Sequence, residues 1–72
     1  MTGEEWLAAF AAAAGVEAPS ADDIDTLLDL AGVAAHASER TAAPVTCWIA
    51  ATAGLSPTAA LALAESLSPT GD

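Results

Sequence analysis

The sequence predicts an all-α fold, a compact four-helix mini-bundle with a mostly apolar third helix. Three observations lead there. Alanine, the residue with the highest helix propensity, is by far the commonest, with runs at Ala11–Ala14, Ala34-Ala35 and Ala42-Ala43. Apolar residues recur at three- and four-residue spacing, which is the period of a helix and not the alternation of a strand. Capping residues and glycines punctuate the chain at intervals that divide it into four such stretches.

The first helix is expected over 3–14. Thr2 and Glu5 have capping-box spacing, Trp6, Phe10 and Ala13 share a face beside Leu7 and Ala14, and Gly15 closes the helix with Val16 folding back. After the connector Glu17-Ala18-Pro19, Ser20 caps a second helix over 21–38, with Asp22 and Asp23 in the first turn where negative charge suits the dipole. At 100° per residue, Ile24, Leu27, Ala31, Ala34, Ala35 and Ser38 form its inward face. Asp25, Asp29, Gly32, His36, Glu39 and Arg40 form the opposite stripe. Gly32 either admits a neighbouring backbone or loosens the helix.

The third helix is expected over 42–53, with Thr41 as its N-cap, Pro44 in the first turn and Gly54 at its close. No charged side chain occurs from Thr41 to Ala64. A helix apolar almost all round is usually buried, so the third helix is expected at the centre with the others wrapped on it. Ser56-Pro57 opens a fourth helix over 57–67, with Leu61, Ala64 and Leu67 on one face. Residues 68–72 read as a frayed tail. The loops are short, which predicts antiparallel packing of successive helices.

A single domain of 72 residues is small. Chains near this length bury only about 60% of the surface they expose when unfolded. Either the helices pack very closely or a partner covers apolar surface. Net charge is −9 and Arg40 is the only Lys or Arg. That excludes nucleic-acid binding, which needs several cations on phosphates, and adhesion to anionic membranes. It would suit a partner with a basic surface. The one cysteine, Cys47, excludes an internal disulfide and a multi-cysteine zinc site, and inside an apolar helix it acts as a small hydrophobe. The acidic start Met1-Thr2-Gly3-Glu4-Glu5 is unlike a secretion signal, and the longest unbroken apolar piece, about a dozen residues, is too short to span a membrane. A cytoplasmic protein is expected.

Titratable groups of different type meet only on the strip Asp29, Gly32, His36, Arg40. One reading is structural: His36 and Arg40 sit near the end of the second helix, where a cation is favoured by about 0.3–1 kcal/mol. The other is an anion site. Arg40, Thr41 and the amides of Ala42 and Ala43 would hold a phosphate or carboxylate at the start of the third helix, beside His36 and with Asp29 orienting the imidazole. No metal-ligand set, no nucleophile–base constellation and no glycine-rich phosphate loop is legible. The chain reads as a non-enzyme without a cofactor. Trp6 and Trp48 are candidates for the core or for anchors against a protein partner, a second copy of the chain included.

Several of these residues also form a familiar pattern. Trp6, then Leu27-Leu28-Asp29-Leu30-Ala31, Ala35-His36, Arg40 and Ala42-Ala43-Pro44-Val45-Thr46 resemble a small helical domain of uncharacterised function. That domain occurs alone or at the C-terminus of molybdenum cofactor guanylyltransferase-like nucleotidyltransferases. The resemblance runs from about Glu4 to Leu67 and is most specific over His-x-x-x-Arg-x-Ala-Ala-Pro, His36 to Pro44. Fused versions carry Gly and Arg-Pro where this chain has Ser38 and Arg40-Thr41. The resemblance implies an accessory role in molybdenum cofactor biosynthesis, with a nucleotidyltransferase as partner. The alternative is an interaction or homodimerisation module with no small-molecule ligand.

Overall fold

The structure, a computed structural model, describes residues 1–68, and the tail reading of 69–72 lies outside them. Four helices follow in order: α1 (Gly3–Ala14), α2 (Ala21–Ala37), α3 (Ala42–Thr52) and α4 (Pro57–Leu67). With no strand among the described residues, the all-α mini-bundle is as expected. The end of α2 and the end of α3 each fall one residue short of the expected position, within the ordinary fraying of helix ends.

Local chemistry sets the boundaries. At α1 the Thr2 N–H donates to Glu5 Oε1 at 2.7 Å and the Glu5 N–H donates to Thr2 Oγ1 at 3.1 Å, a complete capping box. Ser20 and Ser56 accept in the same way from the N–H groups of Asp23 and Ala59. Gly15 adopts φ 81° and Gly54 φ 76°. Each leads a 6→1 closure, with Val16 N–H on Ala11 O and Leu55 N–H on Ala50 O, both at 3.0 Å.

Tertiary packing departs from the expectation of a central α3. The interfaces that hold the bundle are α2 against α3 and α2 against α4; α1 and the α3–α4 pair make none of comparable extent. The core is Leu30 of α2, 1% exposed, between Ala50 of α3 and Ala60 of α4, with Leu27, Cys47, Leu55, Leu61 and Ala64 packed around it. Helix α2 is therefore the centre. Its buried face is turned toward Leu30, a residue the expected inward set omits, and Ser38 of that set is exposed. On α3 only Ala50 is buried, whereas Val45, Trp48 and Ile49 are exposed. The reason is geometric. A helix apolar on every side specifies no single buried face, and three short helices cannot surround a fourth. On α1 only Ala11 is buried, and Trp6, Phe10 and Leu7 are exposed. Leu67, expected on one face of α4 with Leu61 and Ala64, is exposed, whereas those two are half-buried.

Two substitutions probe this core from opposite sides. Leu30→Ala should cost about 2–5 kcal/mol, enough in a domain of this size to abolish a cooperative thermal transition in circular dichroism. A Cβ at Gly32 would meet nothing within 4 Å. Gly32→Ala should therefore raise stability by about 1 kcal/mol through helix propensity alone.

The capping box predicts a local response to acid. Hydrogen bonding from the Thr2 backbone first, and its side chain second, holds the Glu5 pKa below the ordinary glutamate value. A pKa depressed in the folded state stabilises above the unfolded value, and that contribution is lost as pH falls through the folded one. Amide exchange at the start of α1 should accelerate in that window. In Glu5→Gln, which keeps the acceptor and removes the charge, this part of the pH dependence should vanish.

Candidate functional site

The junction of α2 and α3 is built by two turns. At the end of α2, the Ala34 carbonyl accepts both the Ser38 N–H at 3.2 Å and the Ser38 Oγ–H at 2.8 Å. The Ala42 N–H then donates to Glu39 O at 2.9 Å, and the Ala43 N–H to Arg40 O at 3.1 Å. Both amides expected to face an anion are thus engaged by the preceding turn. Thr41 is already helical, at φ −66° and ψ −18°, and its side chain makes no capping bond, contrary to its expected role as N-cap.

The cause lies in the sequence. The three side-chain caps in this chain all accept from the N–H three residues on, at Glu5, Asp23 and Ala59. Three residues after Thr41 stands Pro44, which has no N–H to donate. The turn supplies the missing partners instead.

Asp29, His36 and Arg40 are all exposed. Among the described residues none of the three has a side-chain hydrogen bond or ion pair, so Asp29 does not orient the imidazole. His36 lies in the last turn of α2, where the dipole favours a cation. The described residues contain no group of three His, Cys, Asp or Glu side chains placed to hold a metal ion. No helix of the described chain is long and apolar enough to cross a membrane.

The more prominent feature is apolar. Between α2, α3 and α4 runs a groove of about 260 Å³, walled by Leu30, Val33, Ile49, Leu55, Leu63 and Leu67 among others. Among the described residues no charged side chain lines it. Beside it on α3 lies a stripe of Val45, Trp48 and Ile49, spaced three and four residues apart and 56%, 73% and 60% exposed. Of the three, only Ile49 also walls the groove; Trp48 lies on the side of α3 turned away from it. A second apolar patch lies on α1, where the rings of Trp6 and Phe10 stack with centroids 6.0 Å apart. Both tryptophans are on the surface, the position an interface anchor needs. Sequence reasoning had Trp48 on an apolar helix but not the groove, because the groove depends on α4 packing against α2 across a gap in sequence.

A family model described as Domain of unknown function (DUF6457) matches residues 1–69, and the chain belongs to that family. No curated protein and no solved structure matches it.

Proposed function

We propose that this family member is a non-catalytic accessory module that binds another protein through the uncharged side formed by α3 and α4. The observation that carries the reading is the exposure of Trp48, with Val45 and Ile49 exposed on the same uncharged helix. Large exposed apolar patches on small proteins mark interaction sites, and a tryptophan at the centre of one is the usual anchor. The pathway we propose is molybdenum cofactor biosynthesis, with a nucleotidyltransferase as the partner. It rests on the resemblance of His36 to Pro44 to the domain appended to those enzymes.

An anion site at the α2–α3 junction is the second reading. In its favour, the His36 and Arg40 side chains are exposed and engage no other side chain among the described residues. With the Ala42 and Ala43 amides occupied, only the imidazole, the guanidinium and the Thr41 hydroxyl are left to hold a ligand.

Two variants separate the readings. Trp48→Glu should abolish co-elution with a purified molybdenum cofactor nucleotidyltransferase, while Arg40→Ala leaves it intact. Inorganic phosphate should leave the His36 ring resonances unmoved. A phosphate-dependent shift that disappears in Arg40→Ala would establish the anion site in place of the apolar one.

A further inference from the structure

The groove between α2, α3 and α4 has two unlike ends. Leu30, Ala50 and Ala60, which pack together in the core, close it on the inside. From there the α2 wall runs on to Ser38, and the α3 wall runs back to Thr46. The stretch from Leu30 to Ser38 is about 12 Å at the helical rise, so the groove is long for its volume. At about 260 Å³ it is smaller than the ~300–1,000 Å³ typical of small-molecule pockets. That shape suits a slim, unbranched apolar chain.

Polar groups gather at the outer end. The turn 39–41 joins the last α2 residue of the wall to α3, which puts Arg40 two residues beyond Ser38. Two residues span no more than ~7 Å, within the reach of an arginine side chain. Arg40 is exposed and pairs with no carboxylate among the described residues, and it is the only Lys or Arg in a chain of net charge −9. Ser38 already donates its hydroxyl to Ala34 O. The half-buried Thr46 hydroxyl on the facing wall donates to nothing among the described residues. One guanidinium and one free hydroxyl are thus available to a negative head, and the walls inward of them are apolar.

Charge also limits that head. Glu39 stands next to Arg40 and the chain as a whole repels anions, so a single guanidinium balances one negative charge and little more. A monocarboxylate meets the limit and matches the guanidinium fork with two parallel hydrogen bonds. A phosphate monoester, with nearly two charges at neutral pH, exceeds it.

We propose that the α2–α3–α4 groove binds a medium-chain fatty acid, with its alkyl chain along the apolar walls and its carboxylate on Arg40 and the Thr46 hydroxyl. This goes beyond docking through Trp48, which lies on the other side of α3, and takes from the anion-site reading only the role of Arg40.

An NMR titration of the full chain with sodium decanoate, kept below its micelle concentration, tests this. Decanoate should move the methyl resonances of Ile49, Leu63 and Leu67 together with the Arg40 side-chain N–H, and the shifts should saturate. Decanol, which keeps the chain and lacks the charge, should bind about fivefold more weakly. Arg40→Ala should lower decanoate to the level of decanol and leave decanol unaffected. Acetate, which lacks the tail, should move nothing. Leu63→Trp fills the groove from an exposed position and should remove binding with helix content unchanged. If that variant fails to fold, the Arg40→Ala comparison decides. Absence of saturable shifts with decanoate would overturn the proposal, as would equal affinity for decanol or shifts centred on Trp6 and Phe10 of α1. Trp48→Glu should leave decanoate binding intact. If decanoate does not bind while Trp48→Glu still abolishes co-elution with the nucleotidyltransferase, the fatty-acid assignment falls and the docking reading stands.

Discussion

Leu30 reaches 1% exposure in a cluster to which the two helices packed on α2 contribute alanine, Ala50 from α3 and Ala60 from α4. A larger residue at either place would push its helix away from α2 and open the leucine to water. The bundle thus depends on one bulky side chain held between two small ones. Burying a leucine contributes about 1.5–3 kcal/mol, and the alanines that permit it contribute less because they have little surface to hide. Close approach and a large core are alternatives in a chain this short, and this sequence has the first.

The same economy explains the surface. Helices joined through methyl groups leave their larger apolar residues on the flanks, which is where Val45, Trp48, Ile49, Leu63 and Leu67 are found. On α2 the flank away from the core carries Asp25, Asp29 and His36 and is compatible with water. On α3 nothing does so. The absence of charge from residue 41 to 64 is thus a property of the exposed side as much as of the buried one, and it confines carboxylates to the rest of the molecule.

Much of this architecture was legible locally. The three serine and threonine caps, the capping box and the two glycine closures were readable because each depends on residues within one turn of each other. What depended on distant partners was not. Uniform apolarity in α3 reads as burial only if enough other helices exist to enclose it, and here Leu30 of α2 takes the centre. At the candidate site, the exposure of His36 and Arg40 fits their place on the polar stripe of α2, whereas the engagement of the Ala42 and Ala43 amides does not follow from Thr41 as a cap. The proline at position 44 was the available clue, since it deprives Thr41 of its customary donor.

Helix α1 is bounded by its own chemistry, a capping box at one end and a glycine closure at the other, and packs little against the rest. An open cleft of about 350 Å³ lies between Leu7 and Ala8 on α1 and Pro19 and Ile24 near the start of α2. A segment secured by short-range bonds alone can melt and re-form without disturbing what it is tethered to. Helix α1 is thus expected to open before the rest, with amide protection falling away in a step at the connector and α2, α3 and α4 reporting global unfolding.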